Sequence, residues 1–180
     1  MDDEVPPAEV ARCRGIEHVL LLVDGRRENW LESASAWATH RWGLPIGVPQ
    51  VDILTPAGRH IGRCDVLWSR EGVVGEADGV AKYLEDGASE QQVGRRLLAE
   101  EERQRGFTDL GLAVVRWTPR EAIDGGEIHT RFQRSAGPPR SVDAILRCSC
   151  CRRRLDECGV EAEIATWRRM VAQEFTRKVW

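Results

Sequence analysis

The sequence is poor in several features that mark common functional classes. Lysine occurs only at Lys82 and Lys178, although Lys and Arg together number 26. The formal net charge is −3, so the chain lacks the strongly basic balance of many nucleic-acid binders, and any nucleic-acid contact has to be local. Phosphate-binding glycine loops, the H-E-x-x-H pair and the G-x-S-x-G elbow are absent. Their absence removes support for a nucleotide cofactor and for serine-hydrolase chemistry.

Long apolar runs are also missing. The run from Val19 to Val23 is too short for a membrane span or a secretion signal. We therefore expect a cytoplasmic protein without a membrane partner. The length of 180 residues suits one domain of ordinary size with extensions.

Six cysteines are present, and intracellular cysteines are more often reduced thiols or metal ligands than disulfides. Four of them are close in the sequence, namely Cys148, Cys150, Cys151 and Cys158. Zinc sites usually combine two closely spaced pairs, whereas this group offers a single downstream partner. We therefore expect free thiols here rather than zinc.

Hydrophobic periodicity and turn signals predict a chain of mixed helices and strands. The predicted strands are 50–54, 60–68, 73–78 and 112–117, and the predicted helices are 10–23, 28–41, 89–108 and 160–179. Short connections between the first three strands favour an antiparallel meander, and the apolar fourth strand is expected to be buried. The fold class predicted is an α/β sandwich with a central mixed sheet flanked by helices.

Acidic residues are concentrated in two of these strands. Side chains alternate along a strand, so Glu76 and Asp78 share one face. If Asp65 lies opposite on the preceding strand, three carboxylates meet. Such a cluster is costly unless a divalent cation neutralises it, and hard ions such as Mg²⁺ bind one or two carboxylates plus substrate phosphates. The pattern predicts phosphodiester chemistry that depends on Mg²⁺ or Mn²⁺.

The region 32–118 resembles a bacterial domain-of-unknown-function family related to very-short-patch repair endonucleases, within the PD-(D/E)XK or restriction-endonuclease-like superfamily. It is most similar to actinobacterial members. The shared pattern is an acid in the first helix, strands carrying G-R-x-D and E-x-D-G-x-x-K-Y, an acid-and-arginine helix, and L-G-x-x-V-V-R-W. The matching residues are Glu32, Asp65, Glu76, Asp78, Lys82, Tyr83, Glu100, Arg103 and 110–117.

The resemblance implies a restriction-endonuclease-like fold and a Mg²⁺-dependent endonuclease that acts on DNA in repair or defence. It implies that Asp65 and Glu76 are the principal metal ligands, with Glu32 binding metal directly or through water. Asp78 occupies the catalytic position that usually holds lysine, and a carboxylate there cannot donate to developing negative charge. Lys82, four residues further on, is the expected replacement.

The departure at Asp78 keeps a second implication open, a catalytically inactive relative that binds or regulates, such as an antitoxin-like component. Arg103 and Arg116 are candidates to neutralise DNA phosphates, with ordinary salt bridging as the alternative. Trp117 and Tyr83 are expected in the core rather than stacked on bases.

The predicted organisation has three parts: 1–27 as a lead-in and helix, 28–134 as the nuclease-like domain, and 135–180 as a linker, cysteine-rich segment and C-terminal helix. Apolar residues recur every three or four positions in 160–179, so this helix is expected to pack on the domain or on a second copy in a homodimer. Breakers at 135–140 suggest that a chain ending before Gly137 stays folded unless the last helix covers core surface.

Overall fold

The computed structural model describes residues 19–78, 89–137 and 142–178. Within them, one five-stranded mixed sheet has the spatial order β4-β3-β2-β1-β5. The strands are β1 Val48–Leu54, β2 His60–Trp68, β3 Val73–Ala77, β4 Ala113–Trp117 and β5 Ile145–Cys148. The first three strands form the predicted antiparallel meander, β4 runs parallel to β3, and β5 runs antiparallel to β1.

Helices flank this sheet, as the sequence predicts. They are α1 Trp30–Arg41, α2 Glu90–Asp109, α3 Pro119–Asp124, α4 Gly126–Ser135 and α5 Val160–Lys178. The Asn29 side chain accepts the N–H groups of Leu31 and Glu32 and so begins α1. Ser89 begins α2 in a capping box with Gln92. Both predicted starts are confirmed to within two residues.

The sheet buries apolar side chains on both faces. On one face, Trp68 and Trp117 pack with Phe132 of α4 in a cluster that also includes α1 and α3 residues. On the other face, Phe107 of α2 packs against a cluster that includes Leu67. Because helices cover both faces, every residue of β3 is buried. Glu76, the acidic residue on that strand, is therefore buried as well.

The chain after Thr118 contains two helices that the sequence analysis did not predict. Thr118 forms a capping box with Glu121 at the start of α3. Gly125 then ends α3 with φ of 78°, and a Cβ there would lie 2.8 Å from Ala38 Cβ. The glycine pair therefore joins two helices tightly against α1.

Strand β5 was also absent from the sequence analysis. It pairs with β1 from Val51↔Cys148 to Leu54↔Ile145, and Cys148 is buried. The segment after Gly137 thus supplies a strand to the central sheet. This pairing argues against the expectation that a chain ending before Gly137 stays folded.

The predicted C-terminal helix is present, but its best-buried described side chain is polar. Arg168 of α5 donates from Nε and Nη2 to the Val23 carbonyl oxygen, at 3.0 and 2.8 Å. Trp167, on the predicted apolar stripe, is 46% exposed. Of the predicted helix 10–23 only the last residues are described, and 19–22 are helical. None of the helices in the described ranges has the length and apolar character required to cross a membrane.

Candidate functional site

The predicted acids Asp65 and Glu76 lie where the hydrogen-bonded pairing of β2 and β3 ends. This pairing runs from Trp68↔Val73 to Val66↔Gly75, and its continuation places Asp65 opposite Glu76. At this point the Asp65 side chain takes the place of a backbone acceptor, because Asp65 Oδ2 accepts the N–H of Ala77 at 2.8 Å. On its other side, β3 stays paired with β4 as far as Ala77. The two carboxylates therefore stand at the end of the β2–β3 pairing.

Glu76 is a buried acid with hydrogen-bond partners at only one of its two carboxylate oxygens. Its Oε2 accepts from Arg103 Nη2 at 2.8 Å and from Arg116 Nη2 at 3.0 Å. Its Oε1 is buried without a hydrogen-bond partner. Burial raises the pKa of Glu76 to about 7, although both arginines act to lower it, and the charges of Glu100 and Asp65 raise it further.

Glu100 of α2 shares the same two arginines. Arg103 binds it with Nε at 3.2 Å and Nη2 at 2.8 Å, and Arg116 Nη2 also contacts it. Burial acts to raise the pKa of Glu100, but hydrogen bonds and charge from the arginines outweigh burial and lower it. Two acids and two arginines thus form an ionic network that joins α2, β3 and β4.

The glycine of the G-R-x-D strand has a packing role in this network. A Cβ on Gly62 would lie 2.7 Å from Arg103 Cδ and 2.9 Å from its Cγ. The missing side chain lets Arg103 cross β2, where its Nη1 donates to the Arg63 carbonyl oxygen at 3.0 Å. The motif glycine therefore allows an α2 side chain to reach the acid on β3.

Glu32 lies near the start of α1 and is buried. Its Oε2 accepts from Gln50 Nε2 at 3.0 Å and from the Glu28 N–H at 3.1 Å, and its Oε1 accepts from Asn29 Nδ2 at 2.7 Å. Burial raises its pKa, and the charge of Asp65 acts in the same direction. A cavity of about 30 Å³, lined by Glu32 and Asp65 among others, is large enough for an ordered water. Both oxygens of Glu32 already have protein partners.

The predicted site residues are therefore only partly brought together. Within the described ranges, Glu32, Asp65 and Glu76 do not form a group with all ligand atoms within 4.8 Å. Asp78 continues the ladder to β4, with its N–H donating to the Trp117 carbonyl oxygen at 2.8 Å. Lys82 and Tyr83 lie outside the described residues.

Trp117 is a core residue, as expected. Its side chain is buried, and its indole N–H donates to Ser35 Oγ at 2.7 Å. This hydrogen bond satisfies the polar edge of the ring inside the core. Trp117 therefore supports the sheet below the acids and offers no face for stacking on a base.

A second group of ligand-type side chains was not predicted as a site. Cys148, Cys151 and Cys158 have Sγ atoms that all lie within 4.8 Å of one another. The Cys-x-x-Cys spacing of the first two is the sequence signal that points to such a group. Their meeting with Cys158 depends on the turn after β5 and on the start of α5.

Comparisons of this chain with protein-family models, with curated proteins and with solved structures find no match. The case for a function therefore rests on the residues and on their geometry. Two groups carry that case, the acids around Glu76 and the three cysteines.

Proposed function

We propose that this protein is a Mg²⁺-dependent phosphodiesterase that cleaves DNA, built on a restriction-endonuclease-like core with Asp65 and Glu76 as its metal ligands. One observation carries the proposal. Glu76 is buried with Oε1 unpartnered, opposite Asp65 at the end of the β2–β3 pairing. Two carboxylates are enough protein ligands for Mg²⁺ when substrate phosphate and water complete the shell.

The energetics of Glu76 favour a cation as its missing partner. A buried carboxylate oxygen without a hydrogen bond costs stability, and its raised pKa reflects that cost. A cation at Oε1 would offset the cost and leave the arginine contacts on Oε2 in place. The donor set is made of hard oxygen atoms, which suits Mg²⁺ or Mn²⁺.

The neighbouring side chains have distinct roles in this proposal. Bound Mg²⁺ supplies Lewis-acid polarisation of the phosphate and a lowered pKa for bound water. Arg103 and Arg116 hold Glu76 in position, and their guanidinium groups would also stabilise the negative charge that develops on a phosphate bound beside Glu76. Glu32 positions Gln50 and lines the cavity beside Asp65, so it acts through water. Lys82 is proposed as the proton donor or charge-stabilising group that replaces the lysine missing at Asp78.

A specific observation favours a second candidate, a nuclease-like protein that binds DNA or regulates without cleaving it. Arg103 and Arg116 already balance the charges of Glu76 and Glu100 in the absence of any ion. Such a network can be purely structural, because buried acids need paired cations to stay ionised. In this candidate the arginines fix α2 to the sheet, and no metal enters.

A nicking assay separates the two candidates. Supercoiled plasmid is incubated with the protein in Mg²⁺, in Mn²⁺ or without divalent ions, and DNA binding is measured in parallel by gel shift. We expect metal-dependent nicking by the wild type and a loss of at least about a thousandfold in Glu76→Gln. Glu121→Gln is the matched control, since Glu121 forms an ion pair with Arg131 and a capping box with Thr118 that glutamine can keep.

The opposite result is equally informative. A wild-type protein that shifts DNA but leaves the plasmid intact in both metals contradicts the nuclease and supports the non-cleaving candidate. Equal nicking by wild type and Glu76→Gln would assign the activity to other residues or to a contaminant.

A further inference from the structure

The three thiols of the cysteine cluster, Cys148, Cys151 and Cys158, come from three successive pieces of local structure. Cys148 is the last residue of β5, Cys151 lies in the following turn, and Cys158 lies two residues before the start of α5. Their Sγ atoms lie within 4.8 Å of one another, with Cys151 and Cys158 at 3.3 Å. This convergence at a strand end and a helix start has the compactness of a metal-ligand set.

The turn itself is arranged around the Cys148 sulfur. The N–H of Arg152 donates to the Cys148 carbonyl oxygen at 3.0 Å, and Arg152 adopts a left-handed φ of 61°. The backbone N–H groups of Cys150 and Cys151 hydrogen-bond to Cys148 Sγ. In the same way, the N–H of Val160 hydrogen-bonds to Cys158 Sγ. Such N–H···S contacts orient thiolate ligands and support their negative charge.

We propose that Cys148, Cys151 and Cys158 bind one Zn²⁺ ion that fastens the end of β5 to the start of α5. Thiolates are the soft ligands that select zinc, and structural zinc sites take four ligands in a tetrahedron. The fourth position belongs to Cys150, whose thiol contacts that of Cys148, or to a water. Two of the three sulfur atoms are held by backbone donors, and the third, that of Cys151, contacts Cys158 Sγ, which favours a structural site.

The surroundings give this site a mechanical role. Arg152, inside the turn, donates to the buried carboxylate of Asp52 on β1 at 2.9 Å. Strand β5 itself pairs with β1, so both the strand and the turn are attached to the sheet. An ion across the cysteine cluster would join α5 to that assembly. Its loss should therefore loosen the C-terminal segment while leaving the acids on β2 and β3 in place.

A disulfide is the competing chemistry for these sulfur atoms. Cys151 and Cys158 are the nearest pair, and their oxidation would release two protons and two electrons to an external oxidant. That product would leave Cys148 as a buried thiol with two N–H donors directed at it and no role for them. Zinc uses all three sulfur atoms and needs no oxidant.

The test measures metal content and the cobalt spectrum of the full chain purified under reducing conditions. We expect about one Zn²⁺ per chain, and Co²⁺ substitution should give the intense thiolate charge-transfer bands and visible bands of a tetrahedral sulfur-rich site. Serine at Cys148, Cys151 or Cys158 should weaken binding at least about tenfold. Cys64→Ala, which removes a buried thiol elsewhere, should keep the metal, and Cys150→Ser decides the fourth ligand.

A second measurement uses only the wild type, in case a serine variant fails to fold. Thiol alkylation mapped by mass spectrometry should show Cys148, Cys151 and Cys158 protected by zinc and exposed by a chelator. The proposal is overturned if the reduced wild type takes up neither Zn²⁺ nor Co²⁺. It is also overturned if the isolated protein lacks metal and carries a Cys151–Cys158 disulfide.

Discussion

The acids on β2 and β3 and the cysteine cluster find their partners in different ways. Glu76 is held in position by two arginines that the fold itself supplies. The cysteine cluster has no such cation among its described hydrogen-bond partners, which are backbone N–H groups and other thiols. A metal at Glu76 would therefore serve chemistry, whereas a metal at the cysteines would serve folding.

The two regions also differ in how far the sequence predicts them. The acids lie on strands whose alternation predicts their shared location. The cysteines meet because the turn after β5 returns toward the start of α5. A site built on an irregular turn carries a weaker periodic signal than one built on two consecutive strands.

Removal of the cysteine cluster together with β5 should disturb the fold more than any other change. A chain that ends before Gly137 keeps every described acid and arginine of the carboxylate site but loses the strand paired with β1. Val51 and Ile53, fully buried in that pairing region, would be exposed at a new sheet edge. We expect insoluble or unfolded protein, judged by soluble yield and circular dichroism.

A chain that ends after Gly159 is the control for this truncation, because it retains β5 and all three thiols but lacks α5. It should fold better than the shorter chain. Cooperative unfolding of the shorter chain, with native-like strand content, would show that the sheet needs neither β5 nor the cysteines.

Much of the meander and its helices follows from local signals. The predicted starts of α1 and α2 lie within two residues of those in the structure, and β2 matches its predicted range from His60 to Trp68. Strand β5 has four residues, three of them half-buried, so it has no clear alternation in the sequence. The Gly125–Gly126 pair resembles a break because the close approach to α1 that requires glycine is a tertiary contact.

The same limit applies to the carboxylate site. Alternation predicts that Asp65 and Glu76 share a location, but the approach of Arg103 across Gly62 depends on how α2 packs on β2. For that reason sequence reasoning leaves both phosphate binding and salt bridging open for these arginines, and the structure has both of them bound to Glu76.

Lys82→Ala should have a smaller effect, on the nicking rate and not on folding. If Lys82 replaces the lysine missing at Asp78, its loss should slow Mg²⁺-dependent nicking by about a hundredfold. Thermal stability and metal binding should stay close to wild type. Lys178→Ala, at the other lysine of the chain, is the control. Full activity of Lys82→Ala would move the donor role to Arg103.

A further expected effect is a pH dependence of stability at Glu76. Its pKa is about 7 in the folded protein and near 4.5 in an unfolded chain, so the folded state binds the proton more tightly. The free energy of unfolding should therefore fall as pH rises from about 4.5 to about 7. Glu76→Gln cannot titrate, so the wild-type stability relative to this variant should decline across that window.

Urea unfolding of both proteins without added Mg²⁺ measures this difference. A wild-type advantage that instead grows with pH would mean that the arginines lower the pKa of Glu76 and hold it as a carboxylate. The carboxylate site would then be a structural ion network.

The proposal that Asp65 and Glu76 bind a divalent metal ion is tested most directly by Mn²⁺ binding, followed by electron paramagnetic resonance. The full chain is titrated with Mn²⁺ in the presence of a short DNA duplex, with wild type, Glu76→Gln, Asp65→Asn and the control Glu121→Gln compared. We expect saturable Mn²⁺ binding in the wild type and in Glu121→Gln, and Mg²⁺ should compete with it. Binding should be at least about tenfold weaker in Glu76→Gln and Asp65→Asn. Absence of saturable binding in the wild type, or equal binding in Glu76→Gln, would contradict this proposal.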